Sequence, residues 1–327
     1  MTAKSLDKPT LDLSIVLPVY NEEENILEMH KEIAAVLDTL DQKSEIIYVD
    51  DGSRDKTLDI LKEIQESDQR VVVAEFRRNF GQTAAMACGF DLARGEVVIS
   101  MDADRQNDPK DIPKFLEKLE EGYDLVSGWR YDRQDGFLLR RLPSIIANRL
   151  ISYATDVNLH DYGCTLKAFR YEVIKKVSLY GEMHRFIPAI ANGVGVKVAE
   201  IKVNHRPRVA GVSKYGISRT FRVILDLITV KFLLSYSSKP MQFFGSIGLV
   251  SGALGFLISL FLTVQKFTMS IPMSDRPMLL LGILLIFIGL QFITVGLLAE
   301  LMTRTYHEAQ NKPVYNIRNL YQSKTDA

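Results

Sequence analysis

Five short apolar runs, "LSIVLPV", "EIIYVD", "VVVAEF", "EVVIS" and "YDLVSG", recur between Leu13 and Gly128. Runs of this length, rich in Val and Ile, predict strands buried on both faces. Segments of helical period lie between them. In "EEENILEMHKEIAAVLDTL", Ile26, Met29, Ile33, Val36, Leu37 and Leu40 share one face of a 3.6-residue repeat. Further helices are predicted over about 56–65, 82–93 and 109–121, the last opened by Pro109. This alternation predicts an α/β domain, a mainly parallel sheet flanked by helices. Ligands of such sheets bind beyond the carboxyl ends of the strands. The polar clusters fall there: Tyr20–Glu22, Asp50–Ser53, Asp102–Gln106 and Gly128–Arg130.

The pattern changes toward the C-terminus. Met241–Val264 and Met278–Ala299 are uncharged, each long enough to cross about 30 Å of hydrocarbon. They predict a two-helix transmembrane hairpin. Gly245, Gly248, Gly252 and Gly255 would let helices approach closely, which also suits a homo-oligomer. Basic residues gather outside the hairpin: Arg219, Arg222, Lys231 and Lys239 before it, Arg304, Lys312, Arg318 and Lys324 after it. That asymmetry places both termini and the α/β domain on the cytoplasmic side of the plasma (inner) membrane. The polar start "MTAKSLDKPTLDLS", with no apolar signal core, points the same way. The expected division is an α/β domain over 1–215, amphipathic juxtamembrane helices over 216–240, the hairpin over 241–302 and a cytosolic tail over 303–327. Residues 131–160 suit a helix packed on the sheet or one lying on the lipid surface.

Forty basic and forty acidic residues cancel, so nothing in the overall charge points to nucleic acid. Locally the balance fails: Lys202–Lys239 holds eight Lys or Arg against one acid, Asp226. Cys88 and Cys164 lie far apart without metal-ligand spacing and are expected to be buried, reduced thiols.

The chemistry suggested by the strand ends is that of a nucleotide, but not a dinucleotide. After the first strand the chain reads "YNEEEN" rather than a Gly-rich turn, and three glutamates oppose a pyrophosphate at a helix start. They suit hydrogen bonding to a base or ribose, or helix capping, since Asn21 and Glu24 resemble a capping box. Asp102 and Asp104, two residues apart past a strand, can both address one hard divalent ion. Such an ion would stabilise charge on a departing diphosphate.

In order, "SIVLPVYNEEENI", "YVDDGSRDKT", "RNFGQTAAMACGF", "GEVVISMDADRQNDP" and "LVSGWR" resemble the motifs of family 2 glycosyltransferases with the GT-A fold. "DYGCTLKAFR" and "HRPRVAGVSKY", followed by two apolar segments, narrow the resemblance to polyprenyl-phosphate glycosyltransferases. That group includes dolichyl-phosphate mannose synthases and bactoprenol glucosyltransferases, and the likeness runs over residues 13–305. It implies that Pro18, Tyr20, Glu22, Asp50 and Asp51 hold the nucleoside of a sugar nucleotide. Asp102, Asp104 and Gln106 would form the diphosphate and metal group, with Mg²⁺ or Mn²⁺ as the ion. Arg130, with His205, Arg208, Gly211, Ser213 and Lys214, would gather phosphates, the acceptor's included. Asp161 would orient acceptor or sugar, and Asp104, Arg130 and Asp161 would stand nearest the chemistry.

The implied activity is inverting transfer of a hexose to an undecaprenyl- or dolichyl-type phosphate at the cytosolic face of the lipid bilayer. Glucose from UDP-glucose is the sugar expected first; another donor such as GDP-mannose is the alternative. A processive polysaccharide synthase would want a QxxRW motif, and the single tryptophan is Trp129 in "SGWR". A non-catalytic binder of nucleotide or lipid is the reading from a different class. Two positions depart from the family pattern: Arg105 stands where an aliphatic residue, most often Leu, is usual, and Lys167 where Arg is frequent. Arg105 reads three ways, as a diphosphate contact, a partner of Asp102 or Asp104, or a solvent-facing side chain. On the sequence alone, Arg105→Leu is expected to leave activity intact or to raise metal affinity.

Overall fold

The computed structural model describes residues 9–131, 152, 157–176, 183–192, 195–207, 294, 298, 301, 305 and 317–322. The chain divides into two compact units, residues 1–230 with 313–327, and residues 231–312. In the second unit the described positions Thr294, Leu298, Leu301 and Thr305 are helical. Among the described residues no helix is long and apolar enough to cross a membrane. Both expected spans lie outside those residues, save for Thr294 and Leu298, as does the segment 208–240.

The first unit is built on a sheet that has eight strands among the described residues. They are β1 (Leu11–Val19), β2 (Ser44–Asp50), β3 (Val71–Phe76), β4 (Gly95–Ser100), β5 (Leu125–Arg130), β6 (Lys167–Arg170), β7 (Val198–Val203) and β8 (Ile317–Gln322). Their order across the sheet is β7-β5-β6-β4-β1-β2-β3-β8. β1, β2, β3 and β4 are mutually parallel, as are β5 and β7. β6 runs antiparallel to both β4 and β5, and β8 antiparallel to β3, so the sheet is mixed. Because β6 reverses twice, β5 and β7 point the same way as β4. Six carboxyl ends therefore share one edge.

The apolar runs become strands because both faces are covered. Leu13 through Leu17 are buried in β1, and every residue of β3 is buried. Helices α1 (Ile26–Leu37), α2 (Thr57–Ser67), α3 (Gln82–Leu92) and α4 (Ile112–Glu120) supply the cover. α1 buries Ile26, Met29, His30, Ile33 and Leu37, close to the face read from the sequence. It starts at Ile26, and the expected capping box does not form. Asn21 instead takes φ 54° and accepts from the Arg54 amide through its side-chain oxygen at 2.9 Å. The helix expected over 109–121 is split into a 3₁₀ turn, Pro109–Asp111, and α4; Asp108 caps the turn by accepting from the Lys110 amide at 3.1 Å. Cys88 and Cys164 are free thiols, both buried.

The amino edge of the sheet contains a closed polar knot. Glu45, 2% exposed, accepts from Ser14 Oγ at 2.6 Å and from the Arg94 amide at 2.8 Å. Its other oxygen takes Arg94 Nε and one terminal nitrogen, at 2.9 and 2.7 Å. Ser14 Oγ in turn accepts from the Gly95 amide at 2.8 Å. Gly95 has to be glycine here, because a Cβ would lie 2.5 Å from the Ser14 nitrogen.

Candidate active site

The carboxyl edge collects the four polar clusters, and neighbouring loops lace them together. The loop after β1 is tied to the loop after β2 by reciprocal bonds. Asn21 N donates to Ser53 Oγ at 2.9 Å, Glu22 N to Thr57 Oγ1 at 2.9 Å, and Lys56 N to Glu23 Oε2 at 2.9 Å. Glu22 Oε2 accepts from Asn25 Nδ2 at 2.8 Å, while Pro18 and Tyr20 stay half-buried at the rim. Thus "YNEEEN" shapes a loop with its polar atoms before any ligand arrives.

Asp50 and Asp51, both expected to hold the nucleoside, have different partners. Asp50 ends β2, 1% exposed, and accepts from the Ser53 amide at 3.2 Å. Burial raises its carboxyl above the ordinary range, with the charges of Glu75 and Asp55 adding to the rise. Asp51 accepts from the amides of Phe80 and Gly81 at 2.6 and 2.9 Å, holding the entry to α3. Burial pushes its carboxyl up to about 6, even against those two donors.

Asp102 and Asp104 follow β4. Asp102 is half-buried and accepts from Gln82 Nε2 at 2.8 Å, from the first residue of α3. Asp104 is 7% exposed and accepts from the Gln106 amide at 3.2 Å. Burial first, then the charge of Asp104, holds the Asp102 carboxyl above its ordinary value, although Thr165, Arg130 and Lys167 oppose the shift. Two carboxylates that repel across a shared edge are a fit donor set for a divalent cation. No cluster of three or more His, Cys, Asp or Glu with ligand geometry occurs among the described residues. Asp102 and Asp104 would supply two hard oxygen ligands, with diphosphate and water among those completing the shell, which suits Mg²⁺ or Mn²⁺.

The cations at this edge are less free than the sequence suggests. Arg130, at the end of β5, forks onto Asp161: Nε to Oδ2 at 2.6 Å and a terminal nitrogen to Oδ1 at 2.9 Å. Burial alone would lower the Arg130 pKa, but this bidentate partner raises it. Asp161 is 2% exposed and also accepts from the Gly163 amide, while its own amide donates to Glu200. Pairing with Asp161 holds the Arg130 guanidinium in one orientation. Lys167 opens β6 at 2% exposure and donates to the carbonyls of Tyr162 and Cys164. Burial lowers its pKa, against the pull of nearby Asp161 and Asp102.

Of the positions that the sequence left open, Arg105 takes neither the pairing with Asp102 or Asp104 nor the solvent-facing one. It sits at φ 61°, a left-handed conformation that costs a side-chain-bearing residue roughly 1–2 kcal/mol. Its guanidinium reaches away from Asp102 and Asp104 to Glu32 on α1, at 3.2 and 2.6 Å. Glu32 is also held by Arg206, which bonds Asp108 Oδ1 at 2.7 Å. Burial would raise the Glu32 carboxyl, but hydrogen bonds from Arg206 and Arg105 bring it below the ordinary range.

Beyond the expected set, the fold adds Gln82, Thr165, Glu32 and Arg206. Gln82 was visible in "RNFGQTAA"; Glu32 carried no signal, being one polar position among many on an amphipathic helix. His205 lies at the edge, bridged to Asn107. Arg208, Gly211, Ser213 and Lys214 lie outside the described residues.

Carboxylates at the open edge of a mixed α/β sheet are the arrangement of GT-A glycosyltransferases. The Glycosyl transferase family 2 model matches residues 14–178, and the chain belongs to that family of enzymes. It is 47% identical to a dodecaprenyl-phosphate galacturonate synthase of Rhizobium johnstonii, covering 97% of this chain and 95% of that one. It is 37% identical to an undecaprenyl-phosphate 4-deoxy-4-formamido-L-arabinose transferase of Edwardsiella ictaluri, covering 94% of each. Among solved structures, the fold is like glucosyl-3-phosphoglycerate synthase of Mycobacterium tuberculosis in complex with Mn²⁺, UDP and phosphoglyceric acid. That match has a TM-score of 0.54 at 18% identity, over 69% of this chain and 78% of that one.

Proposed function

We propose that the protein transfers a sugar from a nucleoside diphosphate to a polyprenyl phosphate by direct displacement, inverting the anomeric carbon. The observation that carries this is the carboxylate pair Asp102 and Asp104 at the end of β4, in a chain so similar along its length to a dodecaprenyl-phosphate galacturonate synthase. An acceptor phosphate oxygen is already anionic near neutral pH, so it needs positioning more than deprotonation. Pro18, Tyr20, Glu22 and Asp50 hold the nucleoside, and Asp51 supports them by fixing the 80–81 turn. A divalent ion on Asp102 and Asp104, with Gln106 beside it, would offset the charge that builds on the departing diphosphate. Gln82 and Thr165 keep Asp102 oriented. Arg130, aimed by Asp161, contributes a fixed positive charge, while Arg208, Ser213 and Lys214 receive the acceptor phosphate.

The acceptor's prenyl chain belongs in a bilayer, which gives the segments 241–264 and 278–299 their purpose as two spans in the plasma (inner) membrane. The site then faces the cytosol, where nucleotide sugars are found. For the donor we place a nucleotide-linked uronic acid first, because the 47% identical relative is named for galacturonate. UDP-glucose, the sugar expected from the sequence, stands second. The test incubates the full chain in detergent with undecaprenyl phosphate and labelled UDP-galacturonate, UDP-glucose, UDP-formamido-arabinose or GDP-mannose, with and without EDTA. Label should enter the chloroform-extractable fraction with one donor and vanish with EDTA. No lipid-linked product with any donor would sink the transferase reading.

A further inference from the structure

Three elements converge on one carboxylate outside the reacting centre. Glu32 Oε1 on α1 accepts Nε and a terminal nitrogen of Arg105, from the turn after β4. Glu32 Oε2 accepts from Arg206, in the segment after β7. Arg206 also bonds Asp108 through its side chain, and its backbone amide donates to the Gln106 carbonyl at 2.9 Å. Asn107 and His205 close the same contact as an antiparallel bridge, and Asn107 Nδ2 donates to Thr165 Oγ1 at 3.0 Å. Residues 105–108 are therefore gripped at every position, by side chain or backbone.

An isolated surface ion pair contributes little to stability, and most say nothing about function. This one differs in two respects. Glu32 and Arg105 are 25% and 24% exposed, within a network of two acids and two arginines. The network also holds Arg105 in a left-handed conformation, which persists for such a residue only where its surroundings over-determine it. That conformation sets the direction of the chain between Asp104 and Gln106. An aliphatic side chain at position 105 could not use Glu32 in this way.

We propose that Glu32 is the positioning residue of the Asp102–Asp104 turn: by holding Arg105 and Arg206 together, it fixes the angle at which Asp104 meets a divalent ion. The inference rests on the metal assignment given under the proposed function. It reverses the expectation that Arg105→Leu would spare or improve metal binding.

The test measures Mn²⁺ binding by the full chain in detergent with UDP present, from the electron paramagnetic resonance signal of free Mn²⁺, beside thermal melting in EDTA. Glu32→Gln and Arg105→Leu should each weaken Mn²⁺ binding roughly tenfold, the size seen when supporting partners of metal ligands are removed. Arg105→Lys, which keeps the charge, should recover part of that loss. A purely structural ion pair would lower the melting temperature in EDTA and leave Mn²⁺ affinity within twofold of wild type, and that result overturns the proposal. If Asp104→Ala abolishes binding while Glu32→Gln does not change it, the positioning role falls and the metal assignment stands. If the wild-type chain binds no Mn²⁺, both fall.

Discussion

At the amino edge of the sheet Glu45 is 2% exposed and meets Arg94, Ser14 and a backbone amide; at the carboxyl edge Asp50, at 1%, meets the amide and hydroxyl of Ser53 and two more acids, with no cation among the described residues. The same strands supply both. At one end burial of the charge is matched by a cation, so the knot holds the fold. At the other, Asp50 repels Asp51 and Asp104 repels Asp102, and burial holds Asp50, Asp51 and Asp102 above their ordinary titration range. The nearby cations do not reverse this, since Arg130 is engaged with Asp161 and Lys167 with carbonyls. A sheet edge at which buried acids repel one another is stabilised by a ligand that brings positive charge. The difference separates an acid whose charge the fold itself matches from acids that suit the proposed chemistry.

The largest expected effect tests the functional edge. Asp104→Ala should reduce sugar transfer by on the order of 10²–10³-fold, while melting in EDTA stays level or rises as repulsion with Asp102 is relieved. A matching fall in melting temperature would place Asp104 with the structural acids instead. Arg94→Met should do the reverse. It strands Glu45 without its cation and should destabilise the fold by about 3 kcal/mol, read as a lower melting temperature. Transfer by the surviving folded protein should be unchanged at low temperature.

Gly52→Ala probes the loop between the two clusters. Gly52 has φ +70°, and a Cβ would lie 2.7 Å from the Arg78 carbonyl carbon. A loss of about 2 kcal/mol is expected, together with a raised KM for donor, because Ser53 and Asp50 move with it. Unchanged donor KM would separate this turn from the nucleoside.

The smallest effect is a pH slope. The folded-state pKa of Asp51 lies near 6, above the unfolded value, so its contribution to stability is full below about pH 4 and lost as pH rises through 6. Glu32 works in the opposite sense: its pKa is lowered, so its contribution is present above the ordinary carboxylate range and lost as pH falls. Melting temperature followed from pH 4 to 7 should fall less with rising pH in Asp51→Asn than in wild type. Parallel curves for the two proteins would refute a raised Asp51 pKa.

β1 to β5 and the helices between them were legible because each buries a stripe or a whole run, and burial writes a local period into the chain. The strand-end clusters were legible for the same reason, since a polar group after a buried run has one edge on which to emerge. β6 is four residues long, β7 is only half-buried, and β8 pairs with β3 across more than two hundred residues, so neither period nor length marks them. In that last pairing, Asn319 and Tyr321 donate to Glu75 at 2.9 and 3.3 Å, a contact no local pattern contains.

What the sequence determined by itself is the α/β class, the edge that carries the candidate site, and the acids at positions 50, 51, 102 and 104. Hydrophobic burial is local and periodic, and a motif keeps its chemistry wherever the strand end lies. What only the tertiary structure decided is how each charge is used. Asp51 became a brace for α3, Asp161 an aim for Arg130, and Arg105 a partner of Glu32 rather than of the aspartates beside it. Ion pairs and carboxylate–amide bonds depend on distances of a few ångströms between residues remote in the chain, and those distances exist only after folding.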